Sequence, residues 1–274
     1  MLKCFSPAKI NLFLRVVGKR PDGYHELSSL FQTIDLGDQL YFEVQAQDHL
    51  TCTDPSIPTD QTNLILKATD LFRRKTGLTI GLKVYLEKKI PSQAGLGGGS
   101  SNAATTLWAF NQIAGNIASL QELQNWSAEI GSDVPFFFSQ GTAYCTGRGE
   151  KVASINPLDP RSFWVVKPPI DLSTPEIYRR VSLKQGNKAH NDLDQFLSSP
   201  SYFNDLEQAA FEARPELVSL KSELLQYGFD TVLMTGSGSA FFCMGQGEIP
   251  SNSNLLAFST RFINRPSFKW YKTP

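Results

Sequence analysis

Three observations in the sequence predict an α+β fold. Strand and helix signals are mixed without strict βαβ alternation, which disfavours a doubly wound sheet. Leu78, Ile80, Leu82, Val84 and Leu86 recur in strict period two, the pattern of a strand with one buried face. Just upstream, Leu64, Ala68, Leu71 and Phe72 fall on one helical face.

In chain order, Ile10, Leu12 and Leu14 read as a first strand, and Leu40, Phe42 and Val44 as another after a turn at Leu36-Gly37-Asp38. Asn63 offers an N-cap to the helix Leu64–Thr76, and Gly77 is its stop. The alternating strand ends at Pro91, and a glycine-rich stretch leads to a helix from Asn102 to Ile113. Ser119-Leu120-Gln121-Glu122 is a capping box for a helix stopping near Gly131. Two prolines within Ile155–Pro160 interrupt both periodicities, so the expected domains are residues 1–155 and 156–274. Beyond them, Phe163–Val166 reads as a strand and Thr174-Pro175 as the start of a short helix. Helices over Asp205–Ala213 and Pro215–Tyr227 precede a strand–turn–strand around Gly236 and Gly238.

The chain's 274 residues suffice for one large or two ordinary domains. Its composition, 41% hydrophobic and 19% charged, is that of a globular protein rather than a disordered one. Lys+Arg 26 balances Asp+Glu 26, so no bulk charge draws the chain to nucleic acid or an anionic membrane. No apolar run reaches the roughly 18 residues of a membrane span. Cys4, Cys52, Cys145 and Cys243 are isolated, with no zinc-type spacing, and read as core thiols of a reducing compartment. A soluble cytoplasmic protein is the expectation.

The strongest chemical signal is the run Pro91, Ser92, Gln93, Ala94, Gly95, Leu96, Gly97, Gly98, Gly99, Ser100, Ser101. Its glycines let the backbone turn tightly and aim several N–H groups into one concavity. The helix that follows points its positive end the same way, which suits a phosphate. Ser100 and Ser101 add hydroxyls for phosphate or for a phosphate-bound Mg²⁺. A flexible loop with a helix cap explains the glycines about as well. Neither a Walker A nor a G-x-G-x-x-G fingerprint fits the run.

Three further segments accompany the loop. Ser6-Pro7-Ala8-Lys9-Ile10-Asn11-Leu12 and Asp22-Gly23-Tyr24-His25 precede it, and Thr235-Gly236-Ser237-Gly238-Ser239 follows. With Gly131-Ser132-Asp133-Val134-Pro135, these motifs resemble the GHMP kinases (galactose, homoserine, mevalonate and phosphomevalonate kinases) in the family's order and over essentially the whole chain. The resemblance implies a two-domain GHMP kinase fold. Its N-terminal ATP-binding domain would be of ribosomal protein S5 domain 2-like type and its C-terminal domain ferredoxin-like, with the site between them. It also implies transfer of the γ-phosphoryl of ATP, accompanied by Mg²⁺, to an alcohol of a small molecule with a cytidine diphosphate moiety. The metal ligands stay unassigned, and a monomer or weak homodimer is expected.

By the same resemblance, Asp133 is the catalytic base and Lys9 the lysine that lowers the pKa of the attacking hydroxyl. Residues 91–101 hold the nucleotide phosphates. Tyr24, His25 and Asn11 form the cytosine pocket, with Tyr178 on its other side and Thr174, Gly236 and Gly238 beside it. Ser239 departs from a more usual Ala or Pro. Because Ala8, Ile10 and Leu12 share one face of the strand, a twist or bulge is expected to bring Lys9 beside Asn11. Another family member acting on mevalonate, homoserine or a sugar is the first alternative, and Asp22–His25 argues against it. The second is a non-catalytic binding protein, against which the presence of both Lys9 and Asp133 argues.

Overall fold

A computed structural model describes residues 1–182, 191–251, 253 and 255–273. Two long antiparallel strands, β1 (Leu2–Lys19) and β2 (His25–Gln45), pair from Leu2↔Phe42 to Lys19↔His25 and organise the first sheet. Strands β3 (His49–Cys52) and β4 (Gly81–Glu87) extend it beyond β2 in the order β3-β4-β2-β1. Strand β5 (Thr142–Gly147) pairs with the first half of β2, and β6 (Lys151–Ser154) pairs with β5.

The turn expected at Leu36-Gly37-Asp38 is not there, because β2 runs through it without a break. The register jumps from Pro7↔Gly37 to Ala8↔Ile34, so a bulge takes up the extra residues beside a proline that cannot donate to the ladder. Gly37 is required by packing: a Cβ there would lie 2.3 Å from Cζ of Phe5. Strand β4 begins at Gly81 rather than Leu78, since Gly81 pairs with Gln45, where β2 ends.

Helix α1 (Leu64–Thr76) has the expected limits, with Asn63 accepting from the N–H of Ile65 and Gly77 closing at φ 76°. Helix α2 (Gly98–Ile113) begins four residues before the expected Asn102. Its first turn is closed by the N–H of Ser101 donating to Gly97 O at 2.9 Å, so much of the glycine run is helix. Phe72 and Phe110 stack at 4.6 Å where α1 meets α2 over the sheet. Helix α3 (Leu120–Ser127) carries the expected capping box but stops at Ser127, short of Gly131. A 3-10 turn over Pro135–Phe138 follows.

The second sheet has the order β11-β7-β10-β9, from β7 (Ser162–Lys167), β9 (Phe229–Met234), β10 (Phe241–Gly245) and β11 (Leu256–Arg261). Helices α4 (Thr174–Arg180), α5 (Asp192–Ser198), α6 (Glu207–Ala213) and α7 (Glu216–Gln226) accompany it. Of these elements, α5 and β11 had no signal in the sequence reading, and α6 and α7 start one or two residues later than expected.

Ile10, Leu12, Ile34, Phe163, Val165 and Phe242 form one apolar layer between the two sheets. The expected boundary falls between β6 and β7, yet the later chain returns to the first sheet. Strand β8 (Phe203–Asn204) pairs parallel with β1, and Trp270 stacks on Trp108 at 5.3 Å while donating to Phe5 O. Burial pushes the Cys4 and Cys243 thiols up to about 12, which suits inert core residues. Among the described residues, no helix is long and apolar enough to cross a membrane.

Candidate active site

The first sheet, the start of α2, the segment from Leu172 into α4 and the turn after β9 border a cleft of about 1290 Å³. Lys9 and Asn11 of β1 lie at its floor. The register runs without a break from Ala8 to Asn11, so the expected twist or bulge is unnecessary. Residues two apart in a strand share a face, and that alone brings these side chains together. The Lys9 ammonium donates to Asn11 Oδ1 at 2.8 Å and lies 3.2 Å from Asp133 Oδ2. It also sits 4.5 Å above the Phe31 ring. Lys9 is only 3% exposed, and a charge so buried is tolerated because a carboxylate, an amide oxygen and a ring face surround it.

Asp133 is held by the turn between α3 and the 3-10 turn, where Val134 N–H donates to Gly131 O. The following Phe136 and Phe137 are fully buried and fix that turn to the core. The carboxylate keeps 31% of its side chain exposed and lines the cleft. Asn11 is locked in turn: its amide donates to Ser29 Oγ at 2.9 Å and its N–H to Thr235 Oγ1 at 3.0 Å.

The glycine loop is wedged between Lys9 and the Thr235–Ser239 turn. Lys9 N–H donates to Leu96 O, and Ala240 N–H donates to Ala94 O. Gly95 has φ 74°, and a Cβ on it would lie 2.1 Å from Thr235 O. Gly97 has φ 69°, and a Cβ on it would meet Lys9 Cγ at 3.0 Å. Residues 91–100 line the cleft, with the unpaired N–H groups of the α2 start among them. Ser101 departs from the expected set, since it is fully buried and its hydroxyl accepts from Ser6 Oγ at 2.8 Å.

A buried hub behind the loop escaped the sequence reading. The Asp38 carboxylate, fully buried, accepts from Lys89 N–H at 2.7 Å, Ile90 N–H at 2.8 Å and Asn102 Nδ2 at 2.9 Å. It also pairs with the Lys88 ammonium at 3.0 Å. In sequence Asp38 follows a glycine and looks like a turn residue, so nothing local announces the hub. Lys88 lines one end of the cleft with Ile57, Pro58, Asn63, Leu64 and Leu86, a largely apolar surface suited to a flat base.

The other end gathers the aromatic residues. Tyr24 is 54% exposed and carries the Arg148 guanidinium 4.8 Å over its ring. His25 stacks on Tyr178 at 5.3 Å and 29°. Burial, with a smaller contribution from the Lys19 charge, lowers the His25 pKa. Burial pushes the Tyr178 phenol up, and the Asp133 charge acts in the same direction. Thr174 Oγ1 and Ser237 Oγ share a hydrogen bond at 2.7 Å beside Gly236 and Gly238. Lys19, Arg148 and Arg179 add positive charge to this end, and the sequence reading missed all three. The Gly147-Arg148-Gly149 hairpin, whose glycines have φ 72° and 111°, was the signal that could have found Arg148.

Residues 63–141 match the family model for the GHMP kinases N terminal domain. The chain is 62% identical over 272 residues to 4-diphosphocytidyl-2-C-methyl-D-erythritol kinase of Protochlamydia amoebophila (strain UWE25), covering 99% of this chain and 93% of that one. It is 43% identical over 294 residues to the chloroplastic kinase of the same name from Arabidopsis thaliana, covering 100% of this chain and 77% of that one. A crystal structure of 4-(cytidine 5'-diphospho)-2C-methyl-D-erythritol kinase superposes with a TM-score of 0.80 at 32% identity, covering 96% of this chain and 100% of that one. A mevalonate kinase structure matches with a TM-score of 0.67 at 14% identity over 97% of this chain and 100% of that one, a likeness of fold alone. The chain therefore belongs to the 4-diphosphocytidyl-2-C-methyl-D-erythritol kinases, within the GHMP kinase family.

Proposed function

We propose that this kinase transfers the γ-phosphoryl of ATP to the 2-hydroxyl of 4-diphosphocytidyl-2-C-methyl-D-erythritol, in the non-mevalonate route to isoprenoid precursors. The observation that carries the reading is the Lys9–Asp133 pair, set between a helix-start phosphate loop and an aromatic pocket. Gly97 backs onto Lys9, and the Asp133 charge acts on the Tyr178 phenol, so the pair lies between the two ends of the cleft.

In this reading the adenosine of ATP takes the end bounded by Pro58, Leu64 and Lys88, and its phosphates lie on the N–H groups that open α2. The cytidine takes the end of Tyr24, His25 and Tyr178, and Arg148 and Arg179 offer charge to its diphosphate. Asp133 accepts the proton of the acceptor hydroxyl, whose oxygen attacks the γ-phosphorus as the bond to the β,γ-bridging oxygen breaks and ADP leaves. Lys9 neutralises charge on the transferring group. The transition state is loose, so positioning and charge neutralisation do most of the work. The Ser100 hydroxyl is a hard oxygen donor of the kind Mg²⁺ takes beside phosphate oxygens, and Mg²⁺ bound there would neutralise phosphate charge.

The test is ADP release from Mg-ATP with diphosphocytidyl-methylerythritol, mevalonate, homoserine and galactose offered in parallel. Release with the first alone supports the reading. Release with another overturns the cytidine pocket, and release with none overturns the acceptor assignment.

A further inference from the structure

The loop from Pro168 to Ser173 has little secondary structure of its own, yet it leads directly into the acceptor end of the cleft. Leu172, Ser173, Thr174, Pro175 and Tyr178 all line that cleft. A loop of this kind holds its shape only if its carbonyls find donors. The Lys167 ammonium supplies them. It donates to Pro168 O and to Ile170 O, each at 2.8 Å, and to Asp171 Oδ1 at 3.2 Å. Lys167 is 7% exposed, whereas the Asp171 side chain is 67% exposed, so the carbonyls are the buried partners and the carboxylate is a rim contact.

The Ile170 carbonyl has a second donor, the hydroxyl of Ser239, which is fully buried. Ser239 belongs to the same turn as Thr235, whose hydroxyl accepts from Asn11 N–H. Asn204 Nδ2 also donates to Met234 O and Gly236 O, which fixes that turn further. Thr174 Oγ1 and Ser237 Oγ then tie the far end of the loop to the turn. A chain of contacts thus runs from the strand carrying Lys9, through the turn, to the loop under Tyr178.

We infer that Lys167 and Ser239 are positioning residues for acceptor recognition, acting together on the Ile170 carbonyl to set the loop that presents Thr174 and Tyr178. Neither of them lines the cleft. The inference rests on the cytidine reading of that end, and it assigns a role to the serine that departs from the more usual Ala or Pro. Alanine at 239 leaves the carbonyl with one donor, and methionine at 167 removes three contacts at once.

Steady-state kinetics with Mg-ATP and diphosphocytidyl-methylerythritol tests the inference. Wild-type turnover comes first, because its absence would defeat the proposed function and not this inference. Lys167→Met should raise the acceptor KM by about tenfold while the ATP KM moves less than about twofold, and Lys167→Arg should recover most of the loss. Ser239→Ala, a milder change, should raise the acceptor KM by about threefold with the same split. If Lys167→Met does not fold, Ser239→Ala decides. An unchanged acceptor KM in folded variants overturns the inference, and so does an equal rise in both KM values.

Discussion

The Lys9 ammonium lies 3.2 Å from the Asp133 carboxylate although 124 residues separate them in the chain, and both face the same cleft. The lysine is nearly inaccessible and the aspartate is not, so the pair presents one reactive carboxylate whose cationic neighbour is fixed by Asn11. Such a pair fits proton acceptance and charge neutralisation, the two tasks that the proposed phosphoryl transfer asks of protein side chains.

Asp133→Asn removes the proposed proton acceptor while keeping the side chain's shape. Turnover should fall by at least about 10²-fold with a thermal midpoint close to that of the parent. Circular dichroism melts and initial rates check this, and near-normal turnover in the folded variant would remove Asp133 from the base role.

Tyr24→Ala opens the exposed face of the aromatic end and frees Arg148 from its ring. The acceptor KM should rise by about tenfold or more, with the ATP KM nearly constant, since Tyr24 lies away from the glycine loop. Equal changes in the two constants would place Tyr24 outside the cytosine contact.

Gly95→Ala puts a methyl group against Thr235 O and forces a left-handed backbone on alanine. The backbone alone costs about 1–2 kcal/mol, and the collision adds to it, so the variant should melt several degrees lower. Because Gly95 abuts the turn that holds Asn11, turnover should drop with stability. A variant as stable and active as the parent would contradict the close approach of loop and turn.

His25 has its pKa lowered by burial, so the folded state binds its proton less readily than the unfolded chain does. Its contribution to stability is intact above the unfolded value near 6.5. It is lost as pH falls below that value and through the lower folded pKa. Proton NMR should find His25 titrating below 6.5, and His25→Gln should flatten the acid-side loss of thermal stability. Titration above 6.5 would contradict the burial of the ring against Tyr178.

The elements read most closely from sequence were those decided within one helical turn. Asn63 and Gly77 delimit α1, and Ser119 with Glu122 starts α3, because a cap's partners lie two to four residues away. The start of α2 was misplaced although its first bond is as local as a cap. Glycines and serines fit a helix's first turn and a loop equally well, and only the pairing of Ser101 with Gly97 settles which they form.

Residue order carried the residues proposed for the reaction: a glycine loop before a helix, a lysine in an early strand, and an aspartate before a proline. The architecture around that chemistry came only with the folded chain. Asp38 joins Lys88 across 50 residues and Asn102 across 64, and Ser239 reaches Ile170 across 69. These contacts follow from how β2 passes beneath α2 and how the β9–β10 turn meets the loop after β7. Hydrogen bonds and ion pairs act over a few ångströms of space with no regard to sequence separation. They leave no periodicity in the chain, and only its packing brings the partners together.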